Sequence, residues 1–512
     1  CNVHRGCGWR IHTYKNCIVT LTLVKKHQIL SSARSINPVV SLKYGKIRGE
    51  NMKVKGNERM VKQYLAIPFA HPPVGGERDG RHQPPMCIQD PDIVVSVSQI
   101  MSVQYTPPEV SEDCLYLNVY TPSEATATDK LPVMVWIHGG GLTMGAASQF
   151  DGAPLAAYEH IVIVIIQYRL GILGFLSTGD DHAQGNWGLL DQLAALRWVQ
   201  ENIEAFGGDP QAVTIAGESA GGISASILVL CKIPHQNFKC QSLLYPHDGD
   251  LLILFTGESL LSSLLFKMTI FLGAVVDGEF LIDTAEELLK RQEVLKVPVL
   301  MGITNHEFGW ILPQVSNLLP MLKTALPQMV QPSFLFQAFS TNGLITDEYL
   351  KNAKTPEEIR DAFTEVIGDI LMTFPVIKVA RYHSDLRIYL YEFVYRAEIH
   401  RHTRPSFVKA DHADEVGFMF GECFWNGHIK IIGSNKPYVS LTLVNISPSS
   451  PNRPDLVSWP QYDKQRQEYM ELGLTQTVRQ KLKEDRVHFA TIVLAQKLEQ
   501  FKEAESTAKH GN

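Results

Sequence analysis

Val213-Thr214-Ile215-Ala216-Gly217-Glu218-Ser219-Ala220-Gly221-Gly222 is the stretch whose reading decides the fold. A short β-branched run ends at Gly217, and Ser219 stands between two glycines spaced for a strand that turns sharply into a helix. Lifting a serine hydroxyl clear of a sheet needs such a turn, and glycines let the flanking backbones pass each other. The pattern alone is weak evidence. With Gly and Ser each near ~7% of residues, Gly-x-Ser-x-Gly arises by chance in roughly one chain in six of this length, so the rest of the chain must supply partners for Ser219.

The chain has 512 residues, a length that large α/β enzymes use for one sheet with insertions, and one elaborated domain over 38–500 is expected. Its 45% hydrophobic and 9% aromatic content suffices for a sizeable core. Lys plus Arg at 47 against Asp plus Glu at 53 gives a formal charge of −6, with no basic run to track a phosphate backbone, so nucleic acid is not an expected partner. The eight cysteines lack the paired Cys-x-x-Cys spacing of a structural zinc site. Cys87 and Cys114 flank a proline-containing polar segment; they are either a bridge or two buried thiols. Residues 1–37 form an atypical opening: Arg5, Arg10 and Lys15 precede the apolar run Cys17–Val24, but Lys25-Lys26 stands where a secretory cleavage site would fall. Residues 501–512 are a polar tail whose end does not match a luminal retention signal. Leu251–Leu272 nears membrane-spanning length, yet Gly257, Glu258 and Lys267 interrupt it, so a buried or lid-like helix is expected rather than a transmembrane one.

Strand-like and helical runs alternate, which is the pattern of an α/β sheet. Leu115–Tyr120 alternates apolar and polar residues, as a strand with one wet face would. Leu131–Ile137 is a second strand, and the continuously apolar Ile161–Ile166 suits a central strand covered on both faces. Leu189–Phe206 predicts a helix, with Leu189, Leu193, Leu196, Val199 and Ile203 on one stripe and Gly207-Gly208 as its stop. Strand, helix, strand at this pitch implies parallel pairing, with Ser219 at the end of the next strand. Val297–Ile303 is a further strand, Thr355-Pro356-Glu357-Glu358 a capped helix start running to about His383, and Arg387–Val394 a last strand.

Acyl transfer by serine needs a base, an acid to orient it, and donors for the oxyanion. On a sheet carrying such an elbow the chain order is Ser, then Asp or Glu, then His. Glu307 directly follows a predicted strand, at the sheet edge where catalytic loops gather. Among the downstream histidines, His412 lies in a polar loop beyond the last strand; His383 ends a helix, and His400 and His402 fall in a basic run read as solvated. Glu218, beside the nucleophile, reads as a structural or tuning group. His138-Gly139-Gly140-Gly141 follows the strand Leu131–Ile137 and suits an oxyanion loop; no Lys-Ser/Thr follows to make it a phosphate loop. The hole is assigned to the N–H groups of Gly140, Gly141 and Ala220, with His138 structural. No cofactor or metal ligand set is read.

These motifs together resemble the type-B carboxylesterase and cholinesterase family, in its intestinal-type mammalian branch. Phe206-Gly207-Gly208 through Gly217-Glu218-Ser219-Ala220-Gly221 looks like its nucleophile signature, and Glu112-Asp113-Cys114-Leu115-Tyr116-Leu117-Asn118 like its second. Asn305-His306-Glu307-Phe308-Gly309-Trp310 and Gln167-Tyr168-Arg169-Leu170-Gly171 match as well. The resemblance implies an α/β-hydrolase fold, a large mostly parallel sheet with helices on both faces and lid insertions. It implies a Cys87–Cys114 disulfide and a Ser219-Glu307-His412 triad acting on xenobiotic esters, amides and acylglycerols without a cofactor. It also implies residence in the endoplasmic reticulum lumen or secretory route, and leaves room for a homo-oligomer. Against the family pattern, Ala413 replaces a glycine, the chain is shortened between Pro73 and Arg78, and the strand due after Ser226 is missing or replaced. An unfamiliar stretch from Pro437 to Pro454 carries a glycosylation sequon at Asn445, and Cys231 and Cys240 have no assigned pairing. The rival reading is a catalytically inactive cholinesterase-like binding protein.

Overall fold

Seven adjacent strands are joined in parallel within the main sheet. In the computed structural model the described residues are 37–70, 76–230, 253–255, 273–310, 345, 348–425, 428–431, 452, 457–494, 496–497 and 500. Cys231, Cys240, Asn445 and most of 437–454 lie outside them, as do 1–36 and 501–512. The strands of the main sheet are Glu50–Lys53 (β1), Met60–Pro68 (β2), Tyr116–Pro122 (β3), Leu131–Ile137 (β4), Val162–Ile166 (β5) and Gly208–Gly217 (β6). Ile253–Phe255 (β7), Val299–Thr304 (β8), Ile388–Phe393 (β9), Glu468–Leu472 (β10) and Thr477–Gln480 (β11) complete it. Their order across the sheet is β11-β10-β9-β8-β7-β6-β4-β5-β3-β2-β1. From β10 to β5 every pairing is parallel, and the antiparallel pairings sit toward the two edges.

Residue alternation explains why this sheet is covered twice. In β4, Val133, Val135 and Ile137 enter one core with Val162, Val164 and Ile166 of β5, while Met134 and Trp136 enter the opposite core with Ile163 and Ile165. On the first side lie Trp187–Asn202 (α1) and Ala220–Leu228 (α2). All five residues of the predicted α1 stripe are buried there. Ile203–Phe206 continues α1 as a tighter turn, and Gly207 at φ +89° ends it. Each Val, Leu or Ile so buried stabilises the fold by about 1.5–3 kcal/mol.

The predicted start at Thr355 is present. Its hydroxyl accepts from Glu358 N (3.2 Å) while the Glu358 carboxylate accepts from Thr355 N (2.9 Å), opening Pro356–Gly368 (α3). A wider turn at Asp369–Thr373 joins α3 to Phe374–Tyr382 (α4), so the rod does reach His383.

Four sequence readings are corrected. The strand read as half wet, β3, is buried along all seven residues, because β2 and β5 flank it and both cores cover it. Arg387–Val394 is not the last strand; β10 and β11 follow it. The strand due after Ser226, read as missing or replaced, is present as β7, whose Ile253 pairs with both Ile215 and Val299 and closes the sheet between β6 and β8. Within the stretch read as one helix over Leu251–Leu272, 253–255 is this strand, because a three-residue apolar run fits either structure until neighbours decide; 256–272 lie outside the described residues. Among the described residues no helix is long and apolar enough to cross a membrane.

Cys87 and Cys114 are disulfide-bonded, closing a separation of 27 residues. Gln89, inside that loop, holds both polar groups of the Gly145 backbone, at 2.7 and 2.8 Å, and so braces the far end of the glycine-rich loop. The bridge removes about 3–4 kcal/mol of chain entropy from the unfolded state. A Cys87→Ala, Cys114→Ala double variant is therefore expected to lose that amount in equilibrium chemical denaturation; an unchanged midpoint would contradict this account of the loop.

Candidate active site

The register Gly217↔Ile137 sets the carboxyl ends of β6 and β4 side by side, so the elbow and the glycine loop emerge together. Ser219 has φ +54° and ψ −125°, a backbone region that costs a non-glycine residue about 1–3 kcal/mol. The glycines around it are fixed by contact. A Cβ on Gly217 would run into the backbone of Gly221, and one on Gly221 would collide with the carbonyl of Ile137. Gly139 faces the same turn, where a Cβ would meet Glu218 O at 2.6 Å and Ser219 Cβ at 3.0 Å. The loop thus lies directly on the elbow.

Gly140 and Gly141 take φ values of +100° and +63°, and Thr143 and Met144 both donate to Gly140 O at 3.1 Å. Among the described residues, no hydrogen bond occupies the N–H of Gly140 or Gly141. Ala220 opens α2, where the first N–H groups have no intrahelical acceptor. His138 stands behind the loop. Its ring stacks on Tyr168 at 4.5 Å, Tyr168 Oη donates to its carbonyl at 2.7 Å, and burial pushes its pKa down to about 4. That neutral ring supports the loop.

Glu307 follows β8 and is 4% exposed. Its Oε1 accepts from Thr304 N at 2.7 Å, which aims Oε2 at His412 Nδ1, also 2.7 Å away. The Phe308 ring lies 4.3 Å from the imidazole and walls it from solvent. Glu218 meets the other nitrogen, with Oε1 2.9 Å from His412 Nε2. That oxygen has no directed hydrogen bond, so the contact is electrostatic. Burial works to lower the imidazole pKa; the charges of Glu218 and Glu307, with the hydrogen bond to Glu307, outweigh it, and the pKa stands well above the ordinary value. A carboxyl that sequence reasoning missed lies near these groups: Glu415 is raised to about 8, by burial first and then by Glu307 and Glu218. Its place in Ala413-Asp414-Glu415 gives no direction for its side chain.

Every proposed site residue lies at this edge of the sheet or on the loops above it. Glu307 and His412 are in hydrogen-bond contact, and Glu218 joins the turn of Ser219 to the imidazole. Ala413 takes φ +68°, so where a glycine would be relaxed a methyl group holds a left-handed backbone. His400 corrects its reading as solvated: it is 6% exposed, with Nε2 3.5 Å from Asp414 Oδ1 and Nδ1 3.3 Å from the Ser102 hydroxyl. Charge in the sequence run concealed this, because the acidic partner follows on the next loop. Among the described residues no cluster of His, Cys, Asp and Glu is arranged to hold a metal ion.

Fold and site define an α/β protein with a strained serine on a strand-to-helix turn, whose neighbour Glu218 reaches a buried imidazole that Glu307 holds from the other side. Comparison with known proteins finds a match to the carboxylesterase family over residues 36–241 and 260–490. The medium-chain fatty acyl-CoA hydrolase precursor of Anas platyrhynchos is 38% identical over 543 aligned residues, covering 93% of this chain and 96% of that one. Carboxylesterase 1E of Rattus norvegicus is 37% identical (90% and 94% covered), as is pyrethroid hydrolase Ces2a of Mus musculus (95% and 97%). The chain belongs to the carboxylesterase family, and is an enzyme that hydrolyses carboxylic esters.

The two-carboxylate clamp has a spectroscopic consequence. In a histidine-labelled sample the His412 ring is expected to remain protonated well above the ordinary imidazole range near pH ~6.5, and Glu218→Gln to move its midpoint down. Nitrogen NMR reads this directly; an unmoved midpoint would exclude Glu218 as a source of the shift.

Proposed function

We propose that this chain is a serine esterase of the α/β-hydrolase fold in which Ser219, His412 and Glu307 act as nucleophile, base and orienting acid. The observation that carries the reading is the 2.7 Å contact between Glu307 Oε2 and His412 Nδ1, made next to the strained serine turn. That bond fixes Nδ1 as the protonated nitrogen and leaves Nε2 to exchange protons. Ser219 Oγ bonds to the ester carbonyl carbon as its proton passes to Nε2. The carbonyl oxygen becomes an oxyanion beneath the N–H groups of Gly140, Gly141 and Ala220. The C–O bond to the alcohol breaks, Nε2 returns the proton to the leaving oxygen, and an acyl-serine remains. Water then gives a proton to Nε2, bonds to the acyl carbon, and expels Ser219 Oγ, which recovers the proton. Alcohol and carboxylic acid are the products.

Glu218 stabilises the imidazolium in both half-reactions. Because Nε2 must be unprotonated to begin the cycle, the carboxylates that raise its pKa place the acid limb of the rate profile at higher pH than an isolated imidazole would. Xenobiotic esters and acylglycerols are the proposed substrates. Relatives named for acyl-CoA, pyrethroid and acylcarnitine hydrolysis support an acyl pocket of broad tolerance. The Cys87–Cys114 bridge favours an oxidising compartment, in line with the secretory route.

With a chromogenic acetate ester, the wild-type chain is expected to release a burst equal to the enzyme concentration, followed by steady turnover. Ser219→Ala should abolish the burst and lower turnover by about a millionfold, to background. Turnover surviving in that variant would refute the assignment, and silence of the wild type would favour the inactive binding protein.

A further inference from the structure

The loops that carry Glu307 and His412 come from distant parts of the chain, and one buried carboxylate joins them. Asp411 is fully buried. Its Oδ1 accepts from Gly309 N at 2.7 Å and from His412 N at 2.9 Å, and its Oδ2 accepts from Trp310 N at 3.0 Å. Three backbone donors, two on the acid's loop and one on the base itself, therefore converge on a single side chain. We propose that Asp411 is a positioning residue for ester hydrolysis, the tie that holds Glu307 and His412 at hydrogen-bond distance; the inference rests on the triad reading above.

The surroundings fit this role. Asp411 N donates to Asp414 Oδ2 at 2.8 Å, and Asp414 receives Arg404 Nη1 on its two oxygens at 2.8 and 2.9 Å. Arg404 Nη1 also lies 4.0 Å from Asp411 Oδ2, so one buried guanidinium balances both aspartates. Asn305 and His306 add two longer ties between the same loops, from Ala410 N to Asn305 Oδ1 (3.2 Å) and from Lys409 N to His306 Nδ1 (3.3 Å). The shortest ties belong to Asp411, next to the imidazole. Losing one lets the two loops separate, and a misplacement of about 1 Å costs on the order of a hundredfold in rate.

Asp411→Asn keeps the shape but turns an NH2 group on one of the three donors. Active sites are counted to completion with an organophosphate, and turnover of a chromogenic acetate ester is expressed per counted site. The variant is expected to keep its site count and KM while kcat per site falls about 10- to 100-fold. A merely structural role would lower the count and leave turnover per site unchanged, which overturns the proposal. If Asp411→Asn gives no countable sites, Asn305→Ala decides: it cuts a weaker tie of the same clamp and should slow turnover per site several-fold, and an unchanged value overturns the proposal. A wild-type enzyme with no countable sites would instead sink the triad reading, so the two failures are distinguishable.

Discussion

No atom can occupy the place where a side chain on Gly221 would stand, because the carbonyl of Ile137 already fills it. This close approach of α2 to the end of β4 is the constraint on which the site depends. It brings the glycine loop onto the serine turn and goes with the strained conformation of Ser219. The cores on the two faces supply the stiffness that keeps so unfavourable a turn in place. Strain of about 1–3 kcal/mol at one residue is small beside a sheet whose central strands are buried on both sides.

The second organising element is a charge that burial opposes. An imidazole walled by Phe308 ought to be neutral, yet carboxylates on both nitrogens hold it toward the charged form. Desolvating three ionisable groups together is costly, and such clusters persist where they do chemistry. Burial first, and then the charges of Glu307 and Glu218, push the Glu415 pKa up to about 8.

Much of this arrangement was legible in residues. β4 runs from Leu131 to Ile137 as its apolar pattern dictates, the α1 stripe is buried as its period requires, and the Thr355–Glu358 cap is formed. Glu307 and His412 were singled out because strand ends and chain order narrow the choices, and resemblance narrowed them further; the contact between them is what the structure adds. What escaped the sequence depended on distant partners. β1 and β2 carry lysines and polar residues and become strands only through β3. Ile253–Phe255 is too short to declare its class. His400 looks solvated until Asp414 is set beside it, and neither Glu218, Glu415 nor Asp411 reveals from its neighbours in sequence which way its side chain points.

The most direct measurement is a crystal structure of the chain inhibited with an organophosphonate. The account requires phosphorus bonded to Ser219 Oγ, the phosphonyl oxygen about 2.7–3.1 Å from the N–H groups of Gly140, Gly141 and Ala220, and His412 Nε2 facing the adduct with Glu307 still on Nδ1. An adduct on another residue, or a phosphonyl oxygen turned away from those amides, would contradict it.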